Sequence, residues 1–295
     1  MAAPAPARGL IALLRLPYWL MTGGLSVLTA FAITKSPLSL SAQTVLLIFF
    51  SMAFITSAGF AVNDYFDRES DAVIKPKRPI PSGALTLRQV VVVSSVLFAA
   101  GLVMAFFINW LSFAIIAVDS ALLLVYSTVV KRKSGFAANV LVGILTGTAF
   151  MYGEATISIP PAVSIVSLSL YPIALGTVGG NVLRDVLSLD GDSKTGYPTL
   201  PQKIGISDSA KVAAGFFLLT GLFAPLPFLV GNFNLYYLLP ILVWSCLLIY
   251  SSVRLVMASS NVLNVRKYER VVTMSMILLP LALILQALSH IIGGL

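Results

Sequence analysis

Eleven carboxylates are spread over 295 residues, and seven of them fall in two short segments. The first reads Asn63-Asp64-Tyr65-Phe66-Asp67-Arg68-Glu69-Ser70-Asp71. The second reads Arg184-Asp185-Val186-Leu187-Ser188-Leu189-Asp190-Gly191-Asp192. On a helix, Asn63, Asp67 and Asp71 lie four residues apart and share one face. Asn181, Asp185, Ser188 and Asp192 share a face in the same way. Like charges at this spacing repel by roughly 0.2–0.5 kcal/mol per pair. Each segment also continues the end of a long apolar run, where the helix dipole favours cations. A divalent cation among the oxygens reverses the balance. Hard oxygen donors suit Mg²⁺, which takes one or two carboxylates plus substrate phosphates. A solvated acidic helix end is the bland alternative for one segment alone. The second segment weighs against it. Asn63 to Asn181 spans the same distance in sequence as Asp67 to Asp185, so the segments read as equivalent places in an internal repeat. Asn63, Asp67, Asp71, Asp185 and Asp192 are therefore the expected metal ligands, with Asp64, Asn181, Ser188 and Asp190 as weaker candidates.

Cations accompany the acids. Lys75-Pro76-Lys77-Arg78-Pro79-Ile80-Pro81-Ser82-Gly83 follows the first segment, and Lys194-Thr195-Gly196-Tyr197-Pro198-Thr199-Leu200-Pro201 follows the second. Both are stiffened by proline, which fixes φ. Carboxylates interleaved with Lys and Arg suit a metal–diphosphate complex, in which both signs of charge need a partner. Arg15, Lys75, Arg78, Lys131, Arg184 and Lys194 are the expected diphosphate ligands.

The elements that position these residues are membrane helices. The chain is 58% hydrophobic and only 10% charged, against roughly 25% charged for a soluble domain. Apolar runs near 9–33, 42–62, 88–108, 111–130, 136–157, 161–183, 209–230, 235–257 and 271–293 are long enough to span a bilayer. In lipid each backbone polar group must be satisfied within its own segment, so the runs are helices. Period-two alternation, the mark of a membrane barrel, is missing from segments such as Thr44–Phe50. Nearly all Lys and Arg lie at one side of this nine-span map, with Lys35 alone on the other. That segregation puts the N-terminus and the acidic loops in the cytoplasm and the C-terminus outside. The net charge of +8 is thus a topology signal rather than a nucleic-acid footprint. One cysteine, Cys246, and one histidine, His290, exclude an internal disulfide and a multi-histidine metal centre. The expected fold is all-α: residues 1–295 form one domain, a nine-helix bundle around a central cavity, capped by cytoplasmic loops. Nothing in the pattern speaks to oligomeric state.

These motifs resemble the UbiA superfamily of intramembrane prenyltransferases. Asn63 to Asp71 match its NDxxDxxxD motif completely, and Arg78-Pro79-Ile80-Pro81-Ser82-Gly83 follows as in that family. Further echoes are Arg15 with Pro17 and Trp19, Tyr126-Ser127 with Lys131-Arg132 and Asn139, and Gly191-Asp192 with Thr199-Leu200-Pro201. The resemblance runs through about residue 205; the last three spans match only as apolar helices. One departure concerns the second motif, DxxxD, whose first Asp is here Ser188. Asp185, one turn earlier, fills that place, as in chlorophyll synthases. The resemblance implies Mg²⁺-dependent transfer of a prenyl group from a prenyl diphosphate to a lipophilic acceptor, with Asp67 and Asp185 as the key carboxylates. It adds Tyr126 and Asn139 to the candidate site. The RPIPSG and TLP segments resemble the archaeal lipid branch, which transfers geranylgeranyl to geranylgeranylglyceryl phosphate. Aromatic quinone precursors and chlorophyll-type acceptors are the alternatives.

A secondary transporter also combines buried acids with a repeat, but its sites lie near mid-membrane in broken helices. Here the acids cluster at helix ends. The map makes a test of topology: a tag at the C-terminus should be accessible from outside, and one in the loop 131–134 from the cytoplasm. Both tags on one side would break the map.

Overall fold

The computed structural model describes residues 6–157, 170–194, 196–258 and 261–293. Every regular element among them is helical. Eight helical stretches are long and apolar enough to cross a membrane, and the chain is an integral membrane protein. They match eight of the nine expected spans. The sixth, expected at 161–183, falls partly outside the described residues; its described part is a short 3₁₀ turn, Tyr171–Ala174, and a helix, Leu175–Leu187.

The chain divides into two compact units. The first comprises residues up to Val27 together with Ser41–Arg132, and the second Leu28–Leu40 with Lys133–Leu295. In chain order the helices are α1 (Pro6–Leu14), α2 (Pro17–Trp19), α3 (Leu25–Ile33), α4 (Ala42–Phe66), α5 (Arg68–Ile74), α6 (Leu87–Ile108), α7 (Trp110–Val125) and α8 (Lys131–Lys133). They continue as α9 (Gly135–Ala155), α10 (Leu175–Leu187), α11 (Leu189–Lys194), α12 (Leu200–Phe223), α13 (Leu226–Leu229), α14 (Leu235–Met257), α15 (Val262–Ser275) and α16 (Leu278–Gly293).

In the first unit α4 is the central pillar. Ser41 caps its start by accepting from the Thr44 N–H, satisfying one of the free amides there. The first span breaks before α4 can be packed evenly. Pro17 carries no N–H and starts a new helix, and Arg15 takes a φ of 50°, a conformation rare outside glycine. The break frees the Leu14 carbonyl, which accepts from Ser57 Oγ at 2.7 Å and Trp19 Nε1 at 3.2 Å. The kink is thereby tied to α4 and turns Arg15 toward the end of that helix. Glycine permits close approach one turn on: a Cβ at Gly23 would lie 2.4 Å from the Phe49 carbonyl oxygen. Thr86 and Gln89 form a reciprocal capping box that starts α6.

The second unit uses the same device. A Cβ at Gly143 would meet Val178, and one at Gly179 would meet Phe217 and the Ala213 carbonyl. Small residues bring α9, α10 and α12 together, as is usual where lipid gives helices no hydrophobic drive to associate. Asn234 caps α14 and reaches α16 through Gln286 Oε1 at 2.9 Å and Ser289 Oγ at 2.6 Å.

Each acidic segment carries a kink, across which the i→i−4 hydrogen bonds continue and neighbours four apart still meet, Asn63 with Asp67 and Ser188 with Asp192. The helix ends at Asp67 (φ −87°, ψ 0°) and restarts as α5. It ends again at Ser188 (φ −104°, ψ 8°) and restarts as α11. Asp67 N–H donates to Asn63 O, and Ser188 N–H to Arg184 O, each at 2.9 Å. Backbone equivalence therefore pairs Asp64 with Asp185, Asp67 with Ser188 and Asp71 with Asp192.

Gly23→Ala should lower the thermal midpoint of the detergent-solubilised protein by the equivalent of about 1–3 kcal/mol. Gly59→Ala should cost less, because its new methyl meets the mobile end of Leu123 rather than a backbone oxygen. Equal midpoints for Gly23→Ala and the wild type, followed by scanning fluorimetry, would refute the close packing.

Candidate active site

In the first unit a network of ion pairs gathers the residues of the first motif. Asp64 is 3% exposed and its Oδ1 accepts from Arg15 Nη2 at 2.5 Å and Arg78 Nη1 at 2.9 Å. Arg78 Nη1 also reaches Asp71 Oδ2 at 2.5 Å. Asp67 Oδ2 accepts from Asn63 Nδ2 at 2.9 Å and from Lys131 Nζ. The same ammonium lies 3.1 Å from Asn63 Oδ1. Arg15 stacks on Phe60 with its guanidinium carbon 4.2 Å from the ring centroid, a cation–π contact that leaves its fork aimed at the carboxylates.

The loop after the motif holds Arg78 in place. Leu85 N–H donates to Pro79 O and Gly83 N–H to Ile80 O, both at 3.0 Å. Gly83 has φ 73°, the left-handed value that closes the turn at little cost for glycine. Leu85 and Ile80 pack with Leu13, Ala61 and Val90, so burial of the loop's apolar residues fixes the arginine beside them. Lys75 is exposed; its backbone N–H donates to Asp71 O at 2.8 Å.

The second unit carries a smaller cluster. Asp185 Oδ2 accepts from Asn139 Nδ2 at 2.7 Å. Asp192 Oδ2 accepts from Ser188 Oγ at 2.6 Å. Gly135 N–H donates to Pro198 O at 2.9 Å, so the turn before Thr199-Leu200-Pro201 seats the start of α9, one turn below Asn139. Burial pushes the Asp185 carboxyl up to about 6; the Asn139 hydrogen bond opposes the shift, and Asp192 adds to it. Arg184 is turned away, donating to Asn181 Oδ1 at 3.0 Å and lying 3.9 Å from Glu269. Asp190 and Lys194 are exposed.

The structure thus joins Arg15, Asp64, Asp71 and Arg78 in one network and Asn63, Asp67 and Lys131 in a second, with Asn139 and Asp185, and Ser188 and Asp192, as pairs. Tyr126 opens a π-helical turn, Tyr126–Val130, just before Lys131. Asp64, a secondary candidate by spacing, is the hub. Its one signal in the sequence is its place inside the acidic segment, because the arginines that pair with it lie far along the chain. Among the described residues no three His, Cys, Asp or Glu side chains converge tightly enough to enclose an ion on their own. The donor set nevertheless fits Mg²⁺. It is all oxygen, it comes in pairs, and one pair, Asn63 Oδ1 with Asp67 Oδ2, already accepts a cationic group. Mg²⁺ commonly draws its remaining ligands from phosphates and water.

Comparison with known proteins is consistent throughout. The sequence profile of the UbiA prenyltransferase family matches residues 24–281. Digeranylgeranylglyceryl phosphate synthase of Natronomonas pharaonis is 40% identical over 233 residues, 78% of this chain and 81% of that protein. The enzyme of the same name from Methanococcoides burtonii is 36% identical over 219 residues, 73% and 77% of the two chains. A solved structure from work on digeranylgeranylglyceryl phosphate synthase in membranes superposes with a TM-score of 0.81 at 26% identity, over 96% of this chain and 99% of that one. A UbiA homolog from Archaeoglobus fulgidus, bound to GPP and Mg²⁺, shares the fold, with a TM-score of 0.68 at 20% identity over 94% and 99% of the chains.

The raised Asp185 pKa predicts a pH effect. An acid that holds its proton more tightly when folded stabilises the fold below its unfolded pKa, near 3.8. That contribution is lost as pH rises through about 6. In metal-free buffer the thermal midpoint of the wild type should therefore fall more than that of Asp185→Asn between pH 4 and 7. Parallel profiles would show that Asp185 is not held in a desolvated site.

Proposed function

This chain belongs to the UbiA prenyltransferase family, and on that premise we propose that it makes digeranylgeranylglyceryl phosphate. It is a prenyltransferase that moves a geranylgeranyl group from its diphosphate to the free glycerol hydroxyl of geranylgeranylglyceryl phosphate. The observation that carries the reading is the convergence of Asn63 and Asp67 oxygens on one cationic group, with Arg15 and Arg78 paired to Asp64 of the same motif. The names of the relatives at 40% and 36% identity support the acceptor.

Asn63, Asp67 and Asp71 in the first unit, with Asp185 and Asp192 in the second, are the Mg²⁺ ligands. What bound Mg²⁺ supplies is neutralisation of the diphosphate as the allylic C–O bond breaks. Lys131, Arg15 and Arg78 grip the diphosphate oxygens. A guanidinium has five donor hydrogens, so Arg15 and Arg78 can hold their carboxylates and still donate to phosphate. Their charge stands in place before the reaction, which favours the transition state, where charge accumulates on the leaving group. The apolar helices keep water from the allylic cation. Whole-chain orientation follows the segregation of basic residues: N-terminus and motif loops cytoplasmic, C-terminus outside, in the cell membrane.

Purified protein given geranylgeranyl diphosphate and a panel of acceptors should yield digeranylgeranylglyceryl phosphate by mass spectrometry. Prenylation of an aromatic acid alone would overturn the acceptor. Asp67→Ala should lower the rate by roughly a thousandfold or more, the loss of several kcal/mol of charge stabilisation.

A further inference from the structure

The π-helical turn Tyr126–Val130 interrupts the fourth span directly before Lys131. Its closing bond runs from the Lys131 N–H to the Tyr126 carbonyl, one residue wider than an α-turn. Such turns cost hydrogen-bond geometry and are found mostly at functional sites. Ser127 sits inside this one. It is 2% exposed, and its Oγ is buried without a hydrogen-bond partner. On the same span the Ser120 hydroxyl returns to Ile116 O and that of Thr128 to Leu124 O, both at 2.7 Å; those of Ser112 and Ser127 do not. A buried hydroxyl left unpaired costs about 1–3 kcal/mol, and among the described residues with such a hydroxyl Ser127 is the one inside the π-turn before Lys131.

Contacts on either side locate what this hydroxyl faces. One turn earlier, a Cβ at Gly59 would touch Leu123. One turn later, Lys131 bonds Asp67. Ser127 lies midway in sequence between Leu123 and Lys131, as Asn63 lies midway between Gly59 and Asp67, which brings the two to the same level on neighbouring helices. The Asn63 amide has a conflict of its own. Its Nδ2 donates to Asp67 Oδ2, the oxygen proposed to ligate Mg²⁺. A carboxylate oxygen that gives its lone pairs to a cation loses strength as an acceptor for the neighbouring N–H. When Asn63 Oδ1 and Asp67 Oδ2 both turn to the metal, the Asn63 amide hydrogens need another acceptor.

We propose that Ser127 is that acceptor: its hydroxyl receives the Asn63 amide in the metal-bound state and so orients Asn63 Oδ1 toward Mg²⁺. Ser127 is a positioning residue, not a ligand. The inference rests on the proposed role of Asn63 and Asp67 in holding Mg²⁺ and diphosphate.

The test compares wild type, Ser127→Ala and Ser127→Thr in two measurements. The first is the thermal midpoint of the metal-free protein. The second is the Mg²⁺ concentration giving half of the midpoint shift produced by saturating Mg²⁺ with inorganic diphosphate. Ser127→Ala removes an unpaired polar atom, so its metal-free midpoint should equal or exceed that of the wild type. Its half-saturating Mg²⁺ should rise about three- to tenfold, the worth of one hydrogen bond. Ser127→Thr keeps the hydroxyl and should restore the Mg²⁺ response. An alanine variant with unchanged Mg²⁺ response overturns the proposal. So does one whose metal-free midpoint drops, because the hydroxyl would then be serving the fold. If the wild type itself shows no Mg²⁺-diphosphate shift, the assignment of Asn63 and Asp67 as ligands fails first, and this inference falls with it.

Discussion

A carboxylate at the end of an apolar helix stays ionised only if cations are brought to it. Asp64 states this constraint most sharply. It is almost wholly buried, and two arginines share a single one of its oxygens. Each arginine arrives by a different route. Arg15 depends on the break in the first span, which Ser57 and Trp19 pin to α4. Arg78 depends on a proline-stiffened loop whose leucine is sunk among apolar neighbours. Taking away one partner of such a buried pair typically costs about 3–5 kcal/mol, because a charge is left stranded. The kinked first helix, the RPIPSG loop and the end of α4 are thus held to one another by a single carboxylate.

The same constraint explains why the acidic segments are bent. On an unbroken helix Asn63, Asp67 and Asp71 would stack in a line, with Asp67 and Asp71 each needing a countercharge. The break at Asp67 lets Asp71 turn to Arg78, while Asp67 turns to Lys131. The second unit makes the same break at Ser188 with fewer cations at hand. There Asp185 relies on a neutral amide, Asn139, and burial drives its carboxyl toward the protonated form. Asp185 matches Asp64 in backbone position, but without the arginines. A carboxylate less fully neutralised by the protein is better suited to take a metal cation as its partner.

Much of this was legible in the residues. Eight spans stood out because long apolar runs have no other use at this length, and their boundaries agree with the helices to within a turn or so at most ends, less well at the starts of the spans expected at 209 and 271, which the helices reach from Leu200 and Val262. The first acidic motif stood out because four acids in nine residues demand a reason. Asp64 as the hub was harder to read, since its partners come from 49 residues before and 14 after, and spacing along one helix is blind to both. The breaks at Asp67 and Ser188 were not legible either: neither position holds glycine or proline, and the turn is set by where the charges find partners. The π-turn before Lys131 left a trace only in the five-residue step from Tyr126 to Lys131.

The account stands on carboxylates that hold a prenyl diphosphate only through Mg²⁺. The most direct measurement is calorimetric binding of an unreactive thio-analogue of geranylgeranyl diphosphate, in Mg²⁺ and in EDTA, to wild type and Asp67→Ala. The account predicts binding by the wild type in Mg²⁺ and loss of most of that affinity in EDTA or on substitution of Asp67. Equal affinity in all four conditions would contradict it.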